Sequence, residues 1–138
     1  MKELELQQAL RYIKAGKSTF TIQNKKTGNR FTYQVNKSKT AKIPLYFVSL
    51  MTGSNNESDF TYIGFIKNDT FIYGNKSRIN NEAIGVKAFT SVYSLFEKGV
   101  FHKDLAFYHE GCCGKCGRKL TTPGSVERGY GPECAGRI

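Results

Sequence analysis

The four cysteines of this 138-residue chain all lie after residue 111, and their spacing restricts the C-terminal fold more than any other feature. Cys113 and Cys116 have the C-x2-C spacing at which two thiolates on a tight turn hold one metal ion, and Cys134 can supply a third. A fourth protein ligand would complete a closed tetrahedral Zn²⁺ site. Since such a site has no open coordination position, the pattern predicts a structural rather than a catalytic zinc ion.

The fourth ligand is either His109 or Cys112. Side chains of adjacent residues rarely both reach one ion, and His109 precedes Cys113 by four residues, so the predicted metal ligands are His109, Cys113, Cys116 and Cys134. Cys112 remains the alternative fourth ligand. A disulfide or a redox C-x-x-C site is a weaker interpretation, because the chain shows no secretory signal and the tail lacks a thioredoxin-like βαβ context.

The residues from Cys113 onward read C-G-K-C-G-R-K-L-T-T-P-G-S-V-E-R-G-Y-G-P-E-C. This text resembles a short zinc-binding domain of uncharacterised function that is common in bacteriophage and prophage proteins, with the pattern C-x-x-C-G-R-x-L-T-x-P-x-S and then G-x-G-P-x-C. The upstream His109-Glu-Gly resembles the lead-in of that family, which supports His109 as a ligand. Residues 15–66 also look like the amino-terminal part of small phage proteins with this tail. The resemblance implies a phage-encoded protein of the host-cell cytoplasm with a zinc fold, and it implies no activity.

The period of the apolar residues predicts an α+β fold. Helical spacing over residues 2–15 and 83–98 indicates two helices, and alternation or apolar runs indicate about five antiparallel strands between residues 19 and 73. A short strand over 105–108 leads into the cysteines. The predicted organisation is therefore a basic α+β domain at residues 1–104 and, at 105–138, a small zinc-finger module of knuckle or treble-clef type packed on it.

The net charge of +10 is concentrated in one stretch of the chain. No acid lies between Glu5 and Glu57, whereas nine basic residues do. A one-sided positive field of this kind favours a polyanionic partner, with nucleic acid ahead of a membrane surface. The predicted nucleic-acid contacts are Lys14, Lys17, Lys25, Lys26, Arg30, Lys37, Lys39 and Lys42, together with Lys115, Arg118, Lys119 and Arg128 of the tail. The alternative interpretation is that the excess lysine serves solubility.

Little in the sequence indicates an enzyme. His102 has no evident triad partners, Glu57 and Asp59 read as a solvated polar loop, and no phosphate loop, nucleophile elbow or zinc-protease motif is present. The predicted function is a zinc-containing, non-enzymatic accessory protein that binds nucleic acid, with DNA favoured and either strand state open. The alternative is a module that binds and inhibits or redirects a host nucleic-acid-handling enzyme or defence complex. No run of apolar residues is long enough for a transmembrane helix, and acidic residues near the start argue against secretion, which predicts a cytoplasmic protein.

Overall fold

The computed structural model describes the backbone of residues 2–3, 5–53 and 59–109, and the side chains of 5–53 and 59–109. The elements in chain order are β1 Lys2–Glu3, α1 Leu6–Ile13, β2 Lys17–Asn24, β3 Arg30–Lys37, β4 Leu45–Met51, β5 Phe60–Lys67, β6 Thr70–Tyr73, α2 Ile84–Glu97 and β7 Leu105–His109. The strands form one antiparallel sheet in the order β1-β7-β2-β3-β4-β5-β6.

Strands β2 to β6 form a meander because short polar loops join strands that alternate in polarity. In the β2–β3 loop the side chain of Asn24 accepts hydrogen bonds from the backbone N–H groups of Lys26 and Thr27. The β5–β6 turn has Asn68 and Asp69 at φ +50° and +61°, a conformation that these two residue types tolerate better than most. Local chemistry therefore determines where the chain reverses.

Both helices pack on one face of the sheet. Phe89 of α2 lies at the centre of this core, where its ring contacts Phe20 of β2, Tyr33 of β3 and Phe71 of β6 at centroid distances of 6.3, 5.0 and 4.9 Å. Ile13 of α1 is 1% exposed and belongs to the same cluster of buried side chains. The opposite face of the sheet carries no helix within the described residues.

The predicted fold class is wrong in the number of strands that form its sheet. The described residues form seven strands rather than about five, because β7 returns to pair with β2, placing Phe20 opposite His109, and the two-residue β1 pairs with β7. Residues 2–3 are consequently strand, and the first helix begins at Leu6, where Glu5 and Gln8 form a capping box. The predicted zinc-finger module falls on residues 110–138, which lie outside the described residues. Strand β7, which the predicted domain division assigns to 105–138, is a member of the sheet.

A buried hydrogen bond joins β3 to the first turn of α2, and we predict its contribution to stability. The Tyr33 hydroxyl donates to the carbonyl oxygen of Gly85 at 2.5 Å, and burial raises the pKa of Tyr33, so the phenol stays neutral and donates. Tyr33→Phe is expected to lower the free energy of unfolding by about 1 kcal/mol, since it removes this buried hydrogen bond between β3 and α2. Urea denaturation measures the loss. Tyr46→Phe, which removes a partly exposed hydroxyl with no hydrogen bond in the described structure, should change stability by less than about 0.5 kcal/mol. Equal losses in the two variants would contradict the assignment.

Candidate nucleic-acid interface

Aromatic side chains of β4 and β5 lie on the face of the sheet that is away from the helices. Phe47 of β4 is opposite Phe65 of β5 in the strand register, and the ring of Phe47 lies 6.3 Å from the ring of Tyr62 in an edge-to-face arrangement. Phe47 is 39% exposed, while Tyr62 and Phe65 are partly exposed. We call Phe47, Tyr62 and Phe65 the aromatic platform.

A β-bulge in β5 brings Tyr62 to this face. The register passes from Val48 opposite Gly64 to Ser49 opposite Tyr62, so Ile63 is the extra residue. Side chains alternate along a regular strand, and Tyr62 and Phe65, three positions apart, would then point to opposite faces. The bulge re-aims Tyr62, so both rings lie on the face without helices. Ile63 itself is fully buried in the core.

Basic side chains lie on the same face as the aromatic platform, and strands β2 to β6 contribute no acid to it. The strand register places Lys17 of β2, Arg30 of β3 and Lys67 of β5 on the same face as the platform. All strand positions of β2 to β6 are described, and none of those on this face is Asp or Glu. The face is therefore aromatic and positively charged. Thr21 of β2 is only 1% exposed, with its hydroxyl 2.7 Å from that of Thr32, so the accessible part of the face centres on β4 and β5.

The eight predicted basic contacts of the described region do not form one patch. Four are exposed near the start of β2 and between β3 and β4: Lys17, Lys37, Lys39 and Lys42. Three are exposed at the other end of these strands, in or next to the β2–β3 loop: Lys25, Lys26 and Arg30. Lys14 is only partly exposed, and its ammonium group forms an ion pair with Asp69 and lies 3.6 Å from a Glu97 carboxylate oxygen. The predicted contacts Lys115, Arg118, Lys119 and Arg128 lie outside the described residues.

Several residues of this interface were absent from the predicted contacts. Tyr62, Phe65 and Lys67 lie on one strand, and Lys76 and Arg78 follow in the β6–α2 loop beside Tyr62. Lys67, Lys76 and Arg78 lie outside the stretch between Glu5 and Glu57 that lacks acids, so the charge pattern of the sequence did not predict them as contacts. The aromatics interleaved with that stretch lie elsewhere: Tyr12, Phe20 and Tyr33 are fully buried in the core, and Phe31 and Tyr46 pack against it.

The predicted metal ligand His109 is the last described residue and ends β7. Its side chain is 0% exposed. It lies opposite Phe20 in the pairing of β7 with β2, and its ring centroid lies 5.7 Å from that of Tyr12 in α1. The other predicted ligands, Cys113, Cys116 and Cys134, and the alternative Cys112, lie outside the described residues. Among residues 2–3, 5–53 and 59–109, no three His, Cys, Asp or Glu side chains come together as a metal site would require.

A groove lies on the helix side of the sheet and differs in chemistry from the aromatic face. This groove of about 340 Å³ runs between α2 and the β2–β3 loop, and the exposed side chains of Ile84 and Val100 line it. His102 and Asp104 also line the groove, and the imidazole Nδ1 of His102 accepts the backbone N–H of Asp104 at 3.1 Å. An apolar lining with a carboxylate does not suit a phosphate-bearing ligand.

Comparison with known proteins gives a family match at the C-terminal end of the chain. Residues 103–138 match a family described as a family of unknown function (DUF6011). The match supports a C-terminal domain of unknown function, and it includes β7 of the sheet. No curated protein and no solved structure matches the chain. Neither of the two described helices combines the length and the apolar character that crossing a membrane requires.

Proposed function

We propose that this protein binds single-stranded nucleic acid, without catalysis, on the face of its sheet that carries the aromatic platform. The observation that carries the proposal is that Phe47, Tyr62 and Phe65 share one sheet face with the cations Lys17, Arg30 and Lys67, and that strands β2 to β6 place no Asp or Glu on this face. Exposed rings and flanking cations are the two elements by which proteins hold single strands, through base stacking and phosphate contact.

The physical argument favours a single strand over a duplex. Stacking on Phe47 or Tyr62 requires the face of an unpaired base, whereas the bases of a duplex expose only their edges in the grooves. Cations at both ends of β2 and β3 can contact the backbone of a strand that crosses the sheet. The exposed lysines of the predicted contacts, such as Lys39 and Lys42, would add sequence-independent affinity.

We also propose that the C-terminal residues hold one structural Zn²⁺, in a protein of bacteriophage or prophage type that acts in the host-cell cytoplasm. The support is the spacing of Cys113, Cys116 and Cys134 and the sequence pattern around them. His109 fits the fourth position in one respect, since pairing of β7 with β2 and β1 fixes the backbone that carries its imidazole. Zinc would hold the tail together and would take no part in chemistry.

The test is a salt-titrated binding measurement on the full chain. Fluorescence anisotropy with labelled fifteen-nucleotide oligo-dT and oligo-rU strands, and a duplex control, gives the affinity from low to moderate salt. We expect binding to single strands, with log K falling by about 0.7 per phosphate contact for each unit of log salt concentration. Absent or salt-independent binding would contradict the proposal. That result would favour the alternative, in which the protein binds a host enzyme or defence complex.

A matched pair of lysine variants locates the binding face. Lys67→Ala removes an exposed charge from the aromatic face and should reduce the salt slope by about 0.7. Lys14→Ala removes the same formal charge, but from a group already paired with Asp69, and should leave the slope unchanged. Equal effects of the two variants would show that net charge, rather than this face, determines binding.

A further inference from the structure

A small pocket adjoins the aromatic platform at the start of β5. Its volume is about 270 Å³, and it is lined by Phe60, Thr61 and Tyr62 of β5 and by Lys76 and Arg78 of the β6–α2 loop. Two cations and two aromatic residues therefore border one cavity, and none of the described residues that line it is an acid. Tyr62 belongs both to the pocket and to the platform, so the two surfaces are continuous.

Gly74 permits the close approach that forms this pocket. A Cβ atom at position 74 would lie 2.6 Å from both the Cε2 atom and the hydroxyl oxygen of Tyr62, which is closer than side chains tolerate. The backbone N–H of Gly74 also donates to the carbonyl oxygen of Ile63, the bulge residue, at 3.0 Å. The absence of a side chain at Gly74 thus lets the Tyr62 ring lie directly against the loop that carries the two cations.

Hydrogen bonds hold that loop in one conformation. The Tyr73 hydroxyl donates to the carbonyl oxygen of Ile79, and the Ser77 hydroxyl both donates to this carbonyl and accepts the Ile79 N–H, at 3.0 and 3.1 Å. The Ser77 N–H donates to the Gly74 carbonyl at 3.1 Å. Lys76 and Arg78 are exposed on either side of Ser77. The backbone beneath them is ordered in advance, which lowers the entropic cost of binding an anion.

From this arrangement we propose that the pocket binds one nucleotide unit, with its base against Tyr62 and its phosphate between Lys76 and Arg78. The inference deepens the proposed function and rests on it, because the nucleotide is one unit of the bound single strand. An arginine and a lysine form charge-assisted hydrogen bonds to phosphate oxygens, and the neighbouring ring supplies a stacking surface. The Tyr62 phenol is neutral near pH 7 and does not repel phosphate, and burial raises its pKa further above the ordinary value.

The experiment is a two-dimensional NMR titration of the isotopically labelled chain with thymidine 5′-monophosphate, with thymidine and inorganic phosphate as separate probes. We expect the nucleotide to shift backbone resonances of residues 60–62 and 74–78, and to bind more tightly than either fragment. Arg78→Ala and Lys76→Ala should each weaken its binding about tenfold. The matched control Lys98→Ala removes an exposed cation after the C-terminus of α2, away from the pocket, and should have no effect.

The outcomes separate this inference from the proposed function. The pocket assignment is overturned if the nucleotide shifts other residues, if phosphate alone binds as tightly, or if Lys98→Ala weakens binding as much as Arg78→Ala. If those results accompany salt-dependent binding of the oligonucleotide, the proposed function stands and only the pocket fails. If the mononucleotide binds here while the oligonucleotide does not bind, the strand-binding function fails and the pocket stands as a separate nucleotide site.

Discussion

Replacing both Phe47 and Tyr62 by alanine is expected to weaken binding of a single-stranded oligonucleotide by at least about 30-fold. Each stacked base contributes about 1–3 kcal/mol by alanine substitution, so two rings account for at least about 2 kcal/mol. The two rings touch, with centroids 6.3 Å apart, so the effects of the single variants need not add. Anisotropy at constant salt measures the loss, and a double-mutant cycle gives the coupling between the rings.

The controls distinguish stacking from loss of structure. Ile84→Ala truncates a side chain that is 70% exposed beside α2, on the helix side of the sheet, and should leave binding unchanged. A Phe47→Leu, Tyr62→Leu double variant keeps apolar bulk without aromatic faces, and should bind as weakly as the alanine double variant. Circular dichroism and urea denaturation confirm that each variant is folded. Wild-type affinity in the alanine double variant would contradict the proposed interface.

Substitution of Cys113, Cys116 or Cys134 by serine is expected to remove the zinc ion completely. A chain with four protein ligands should contain one equivalent of zinc by elemental analysis, and loss of any ligand opens the site. Structural zinc sites contribute about 10–16 kcal/mol of apparent binding free energy in isolated zinc-finger peptides. The C-terminal region should therefore become sensitive to proteolysis in these variants. Absence of zinc from the wild-type chain, prepared without chelators, would contradict the proposed site.

The fourth metal ligand can be identified by a spectroscopic measurement that does not disturb the fold. The visible and near-ultraviolet absorption of the Co²⁺-substituted chain reports how many thiolates bind the metal, and we expect three thiolates and one nitrogen. Cys112→Ser should then leave the spectrum unchanged, whereas four thiolates would assign the position to Cys112. His109→Gln is the less direct variant, because His109 is fully buried against Tyr12 and its loss also disturbs the core.

The distribution of charge along the sequence predicted a set of basic residues as binding contacts, but it did not predict which surface they form. The acid-free stretch predicted one basic region, whereas the meander distributes its residues between the two ends of β2 and β3. Lys14 illustrates the reason. Its partner Asp69 is 55 positions away in the chain and approaches only because the β5–β6 turn folds back beside the end of α1.

Strand β7 shows that the fold, too, depends on contacts that the local sequence does not predict. Local pattern predicts a short strand before the cysteines, but its neighbours are determined by non-local pairing. Phe20 lies opposite His109, and Lys2 lies opposite the same residue on the other side. Nothing local in these segments specifies that partnership, so the sequence predicts the strand without predicting that it extends the sheet.

The sequence by itself determined where apolar residues recur, and therefore the positions of the strands in the meander, the helix over α2 and the turn at Asn68 and Asp69. Those features follow from local periodicity and local backbone preference. Only the tertiary structure decided which rings face away from the core. Phe47 and Phe65 are brought opposite each other by strand pairing, and Tyr62 joins them because β5 bulges at Ile63. A bulge depends on how two strands fit together, and alternation along one strand cannot reveal it.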